Sequence, residues 1–205
     1  MKKLPILLLT TLLSATSAPT LAQEPSLRGR MDAAVLPLPT ALREGAGVLR
    51  WIGPGQTEQL RESRNGMSCS VDDPSDDRFD VRCYHDEFWI AIRRSRQLGQ
   101  TLASREAVDE QLRQESIAGE IHLPSAPTAG YRMLGPISAY DGKSNEAGPE
   151  IRKWQSIHFP FNTADEMGLT EARELSEPAL PGLMPFVMAS GTWWSHVMIV
   201  HEPFE

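Results

Sequence analysis

The sequence has only two cysteines, no apolar run of the roughly 20 residues that a membrane-spanning helix needs, and no glycine-rich phosphate loop. These absences argue against a membrane-spanning protein and a nucleotide-binding loop. Basic residues are also in deficit, with 20 Lys and Arg against 27 Asp and Glu and a net charge of −7. Such a surface repels phosphate backbones, so we expect no nucleic-acid partner. Five arginines lie among acids on predicted helices and are expected on solvated faces: Arg93, Arg94, Arg96, Arg105 and Arg113.

The N-terminus has the pattern of a secretory signal peptide. Two lysines precede the apolar run of residues 4–13, and small residues at Thr20 and Ala22 predict cleavage after Ala22. Residues 1–22 would then be the signal peptide, and the mature chain would begin at Gln23 in the periplasm or outside the cell. An uncleaved signal anchor is the alternative.

The two cysteines predict a disulfide within a β-hairpin. In an exported protein an even cysteine count favours a bond, and the alternative is a nucleophilic thiol. Apolar and polar residues alternate in residues 67–71 and again in residues 79–84, which is the period of half-buried strands. Turn-forming residues 73–78 separate them. In the hairpin that follows, Cys69 faces Cys83.

The other periodicities predict a single α+β domain over residues 46–205, after a poorly determined segment of residues 23–45. Short strands at residues 48–52 and 57–63 precede the hairpin, with turn residues between them. Because consecutive short strands joined by turns pair in order, this part of the chain predicts an N-terminal β-meander.

After the hairpin the pattern becomes helical. Apolar residues recur at helical spacing after Asp86 and after Ser104, and both residues are suited to cap a helix. Residues 123–150 are rich in proline, glycine, serine and asparagine, which predicts mostly surface loop, with one strand near residues 131–134 and another near residues 137–140. Further strands are predicted at residues 154–161, 184–189 and 195–201. The pattern favours a mainly antiparallel sheet packed with two or three helices, and the alternative is a small β-barrel with helical decoration.

The segment from residue 65 to residue 85 also resembles uncharacterised exported proteins of bacteria. The resemblance rests on residues 65–67, Cys69, residues 72–74, Phe79 and residues 83–85. A fainter likeness occurs at residues 191–198. The resemblance implies export from a bacterial cell and implies no activity.

Metal sites have little support. The hairpin tip carries five carboxylates, the ligand type that calcium takes: Asp72, Asp73, Asp76, Asp77 and Asp80. They lack the spacing, the central glycine and the terminal glutamate of an EF-hand loop, so a solvated tip is favoured. The five histidines are scattered: His85, His122, His158, His196 and His201. A zinc site built from distant histidines is the alternative to our expectation of no metal and no cofactor.

The sequence has no local motif of a serine hydrolase. Ser68 lies in a stretch that lacks the second glycine of a nucleophile elbow. Ser195 and His196 are neighbours in a predicted strand, so their side chains would face opposite ways. We expect His196 to be buried, neutral and bonded to a backbone carbonyl, because both faces of its strand are apolar.

Adjacent tryptophans give the strongest indication of a binding surface. In an extended chain one of Trp193 and Trp194 would point away from the other, and outward. With His196 and His85 they are the candidate binding residues. The sequence thus favours a non-enzymatic exported domain that binds an unknown protein or small molecule in the bacterial envelope. The alternative is a hydrolase whose histidine and carboxylate come together only in the fold.

Overall fold

A computed structural model describes residues 26–172 and 185–200 of the chain. The predicted signal peptide, the start at Gln23 and His201 lie outside the described residues. No helix in the described parts is long and apolar enough to cross a membrane.

The described residues form a mixed α/β structure with one large sheet. Its strands are β1 (Gly47–Gly53), β2 (Gln56–Arg61), β3 (Met67–Ser70), β4 (Arg78–His85), β5 (Thr128–Pro136), β8 (Arg152–His158), β9 (Phe186–Met188) and β10 (His196–Val200). A two-stranded ribbon is formed by β6 (Tyr140–Asp141) and β7 (Glu146–Ala147). The helices are α1 (Leu27–Ala34), α2 (Thr40–Arg43), α3 (Asp86–Leu98), α4 (Arg105–Ile117) and α5 (Ala164–Met167). The two long helices follow the hairpin as predicted, and three short ones raise the described number above the two or three expected.

The sheet is mainly antiparallel, as predicted, but its first strands do not form a meander. The strand order is β2-β1-β3-β4-β5-β8-β10-β9, and β1 pairs with β3 in parallel. After β2 the chain crosses the end of β1, where the Arg64 N–H donates to the Gly45 carbonyl at 2.7 Å and the Asn65 amide donates to the Leu42 carbonyl at 2.7 Å. This crossing places β3 on the far side of β1. The order is open, with β2 and β9 at its ends, so the described residues do not form the alternative barrel.

The predicted hairpin and its disulfide are confirmed. β3 pairs antiparallel with β4 in the register that places Met67 opposite His85 and Cys69 opposite Cys83. The two sulfur atoms are bonded, and the cysteine Cα atoms lie 4.0 Å apart. Both cysteines are fully buried. The bond therefore links two neighbouring strands inside the core.

One face of the sheet is covered by the N-terminal helices. Ala34, Val35 and Leu38 pack against Val48 and the disulfide in one buried cluster. α1 ends before Pro37, whose ring is incompatible with a helix interior. Packed structure thus begins upstream of the predicted boundary at residue 46.

The opposite face is covered in part by α3 and α4. Phe88 and Trp89 of α3 pack with Leu112 of α4 against the sheet. Ser104 caps α4 as predicted, with its hydroxyl accepting from the Ala107 N–H at 3.2 Å. Asp86 was expected to cap α3 but is its first helical residue; His85 holds the cap position.

The segment predicted to be mostly loop contains the central strand β5. It lies between β4 and β8 and pairs with both over seven residues each. A Cβ at Gly130 would lie 2.6 Å from the Ser156 hydroxyl oxygen and 2.8 Å from the His158 ring, so glycine is needed there for close packing. The strand predicted at residues 131–134 lies within β5, but the composition of the segment concealed the rest of β5, because Gly130 serves packing here rather than a turn. The strand expected at residues 137–140 is instead mainly a 3₁₀ turn, Ile137–Ala139.

Candidate binding groove

A groove of about 880 Å³ lies on the face of the sheet that α3 and α4 cover only in part. Its walls come from β1, β3, β4, α3, the start of α4 and the turn before β10. We call it the groove, and the residues used below are Trp51, Tyr84, Trp89, Arg96, Trp193 and Trp194.

Strand alternation decides which side chains of β4 reach the groove. Asp80, Arg82 and Tyr84 are on the groove face, while Phe79 and Val81 belong to the core on the other side. β4 leads directly into α3, so Tyr84 packs against the first turn of that helix. The turn from strand to helix thus places a phenol at the inner wall.

Aromatic rings form a continuous wall. The ring centroids of Tyr84 and Trp89 lie 5.6 Å apart, those of Trp51 and Trp89 5.9 Å, and those of Tyr84 and Trp194 5.4 Å. The indole N–H of Trp89 donates to the Ser68 carbonyl at 2.9 Å, which fixes that ring. Trp51 and Trp194 are only half buried, so they offer open surface to the groove.

The two adjacent tryptophans do not point apart, in contrast to the sequence prediction. They lie in a turn rather than a strand, with the Ser195 N–H donating to the Thr192 carbonyl at 3.1 Å. The turn brings the two ring centroids to 5.0 Å, and both rings line the groove. Trp193 is the inner, buried ring.

The carboxylate of Asp80, which two arginines share, lies at the floor of the groove. The Asp80 oxygens accept from Arg132 at 2.8 Å twice, and from Arg82 at 2.9 and 2.5 Å. Burial opposes ionisation of Asp80, but the hydrogen bonds and charges of the two guanidinium groups outweigh it and hold the pKa of Asp80 well below its usual range. Asp80 is therefore ionised and leaves one arginine charge uncompensated.

The sequence predicted a solvated helix face for Arg96, but the structure places its guanidinium against an aromatic ring. Its guanidinium carbon lies 3.6 Å from the centre of the Trp51 ring, at the rim of the groove. It makes no ion pair with any described residue. Partial burial and the nearby charge of Arg82 lower the pKa of Arg96, although it stays charged. Arg96 is thus a stacked cation facing the groove.

Tyr84 lies within the field of three arginines. Burial raises the pKa of its phenol, while the charges of Arg82, Arg132 and Arg96 act in the opposite direction. The hydroxyl makes no hydrogen bond within the part of the chain that the structure describes. The phenol O–H of Tyr84 is therefore free to donate a hydrogen bond to a ligand.

The hairpin tip forms the other end of the groove, and only part of it is solvated. Asp73 and Asp76 are exposed and accept from backbone N–H groups two residues ahead, at 2.9 Å each. Asp72 is buried, and its carboxylate accepts from the Asp80 N–H at 2.7 Å. Burial, more than the nearby acids, raises the pKa of Asp72 to about 6. The prediction of a solvated tip is therefore wrong for Asp72 and Asp80.

Two histidines pack behind Trp194. His196 lies opposite His158 in the β8–β10 pair, with ring centroids 4.9 Å apart. The Nδ1 of His196 is 2.7 Å from the Trp194 carbonyl, so the expected burial and carbonyl contact of His196 are both present. Burial lowers the pKa of each ring, and the charge of His196 lowers that of His158 further. Neither histidine is among the residues that line the groove.

The sequence did not connect His158 with Ser156. The Nε2 of His158 lies 3.0 Å from the Ser156 hydroxyl oxygen, and the other ring nitrogen, Nδ1, is buried without a partner among the described residues. Their spacing of two within one strand was the available clue, because it places both on the same face. That clue is weak, since every strand contains such pairs.

His85 lies apart from the other candidates. It pairs with Met67 at the end of β4 and sits against Gly66, and it does not line the groove. Within residues 26–172 and 185–200, no three His, Cys, Asp or Glu side chains form a group that could hold a metal ion.

Comparison with known proteins found no similar protein from which a function could be carried over. No family model, no curated protein and no solved structure matches the chain. The Cys69–Cys83 bond is consistent with an oxidising compartment. Any statement about function must therefore come from the groove itself.

Proposed function

We propose that the protein is a non-enzymatic binding module of the bacterial envelope, periplasmic or extracellular, and that the groove binds a small molecule with a flat apolar face. The observation that carries the proposal is the continuous aromatic wall in a groove of about 880 Å³. Pockets that hold small ligands have volumes of about 300–1,000 Å³, and aromatic side chains give a flat ligand a large contact area.

Rigidity of the walls supports the proposal. Trp89 is held by its hydrogen bond to Ser68, and the neighbouring strands β3 and β4 are joined by the buried disulfide. Trp193 is buried against the half-exposed Trp194. Because these rings are already ordered, a ligand loses little affinity to the ordering of side chains.

The proposal can be tested with a neutral aromatic probe, 2-naphthamide, followed by two-dimensional NMR of the tryptophan indole N–H groups. We expect saturable shifts of the Trp51 and Trp194 signals. Trp154 lies outside the groove lining and serves as the reference signal. Trp51→Ala should weaken binding by about tenfold, and Trp154→Ala should not. Absence of saturable shifts, or shifts centred on Trp154, would overturn the proposal.

A hydrolase is the second candidate, favoured by the 3.0 Å contact between Ser156 and His158. Two features weaken it. No described carboxylate reaches Nδ1 of His158, and burial lowers the pKa of this ring, which makes it a poor general base. Hydrolysis of p-nitrophenyl acetate should therefore show no saturable rate that Ser156→Ala removes. A saturable rate lost in that variant would favour the enzyme.

A further inference from the structure

We infer that the ligand of the groove carries an oxyanion, such as a carboxylate, that binds to Arg96 beside Arg82 and Arg132 while the flat part of the ligand lies on the aromatic wall. The inference rests on the proposed function, because it assigns the charge of a ligand that the groove would bind.

The first argument is the local balance of charge. Arg82 and Arg132 share the single carboxylate of Asp80, and Arg96 adds a third guanidinium without an ion pair among the described residues. Asp72, another carboxylate of the groove lining, has Arg30 beside it, whose guanidinium donates to the Asp72 backbone carbonyl at 2.6 Å. Arg82, Arg96 and Arg132 together therefore carry two positive charges more than Asp80 neutralises. The whole chain has a net charge of −7, so this excess is a local feature.

The second argument is the geometry of Arg96. A guanidinium stacked on an indole keeps its N–H groups in its own plane, where they can bind a carboxylate through two parallel hydrogen bonds. The contact of 3.6 Å with the Trp51 ring holds Arg96 in such a position. Burial disfavours the charge on Arg96, and repulsion from Arg82 disfavours it further. An anion between them would relieve that repulsion.

The third argument is the donor on Tyr84. Tyr84 lines the groove, and the charges of Arg82, Arg132 and Arg96 all act on its phenol. Guanidinium N–H groups and a phenol O–H are all donors, and an oxyanion is the group that accepts from both. A cationic ligand would instead meet repulsion at this point.

The test compares two probes of nearly equal shape, 2-naphthoate and the neutral 2-naphthamide, by calorimetric titration of the wild-type protein. We expect 2-naphthoate to bind at least about tenfold more tightly, and its affinity to fall with added salt while that of 2-naphthamide changes little. Arg96→Gln should reduce the preference to less than about threefold. Arg93→Gln removes the same charge from the same helix outside the groove lining and should keep the preference.

The outcomes of the titrations distinguish the anion inference from the proposal of a binding groove. Equal binding of the two probes, or an equal preference in wild type and Arg96→Gln, would overturn the anion inference and leave the binding groove in place. Binding of neither probe would overturn both proposals. Arg96 is exposed, so the variant should fold, and an unchanged melting temperature would verify this.

Discussion

Asp72→Asn should make the protein more stable at neutral pH and leave its stability at pH 4 nearly unchanged. The Asp72 carboxylate is buried and accepts the Asp80 N–H at 2.7 Å, and an asparagine oxygen can accept the same bond. Burial raises the pKa of Asp72 from 3.8 to about 6. Asparagine resembles the protonated acid in shape and never ionises.

The sign and size of this stability change follow from the linkage between protonation and folding. Because the folded-state pKa exceeds the unfolded one, the stability associated with the protonated carboxyl is fully present below pH 3.8 and is lost as the pH rises through about 6. A shift of about two pKa units corresponds to about 3 kcal/mol at most. The variant should therefore exceed the wild type by up to about 3 kcal/mol in free energy of unfolding at pH 8.

Urea denaturation at pH 4, 5, 6, 7 and 8 measures this difference. Asp73→Asn is the matched control, because Asp73 is exposed and hydrogen bonds from Ser75 lower its pKa, so loss of that charge should not stabilise the fold. The pH dependence due to Asp80 is common to both proteins and cancels. A gain that is absent at pH 8, or equal at pH 4 and pH 8, would refute the argument.

Three further outcomes are expected. Asp80→Asn should cost about 3 kcal/mol of unfolding free energy in urea, because it leaves two partly buried arginines without their carboxylate; a loss below about 1 kcal/mol would contradict this. Reduction of the Cys69–Cys83 bond should cost about 3 kcal/mol on the loop-entropy model, measured as a lower denaturation midpoint with dithiothreitol, and an unchanged midpoint would argue against it. His196→Gln should lower the melting temperature, because a buried ring bonded to the Trp194 carbonyl is lost, while 2-naphthoate affinity stays the same. Wild-type stability with lost binding would make His196 a site residue instead.

Much of the local structure could be predicted because its causes are local. Alternation with a period of two identified β3 and β4 and set the register that joins Cys69 to Cys83. The hydroxyl of Ser104 marked the start of α4 because an N-cap bonds only within its own turn. The burial of His196 followed from the apolar residues on both sides of it in the strand.

The order of the strands and the nature of the groove depend on contacts between distant residues. β3 lies in parallel beside β1 because the chain crosses the end of that strand, and no sequence pattern encodes this crossing. The sequence predicted only a short strand at residues 131–134, whereas β5 spans Thr128–Pro136, because its pairing with β4 and β8 and the close packing at Gly130 depend on distant residues. The pairing of Asp80 with Arg132 spans 52 positions and exists only once β4 and β5 are aligned.

The sequence by itself determined the hairpin with its disulfide, the two long helices and the acidic overall charge, since each depends on composition or on near neighbours. Only the tertiary structure decided where the cations and aromatic rings meet. Trp193 and Trp194 both line the groove because a turn stands where an extended chain was expected, and Arg96 faces the groove because α3 packs across Trp51. A groove of this kind is assembled from several elements, and its chemistry appears only when packing brings them together.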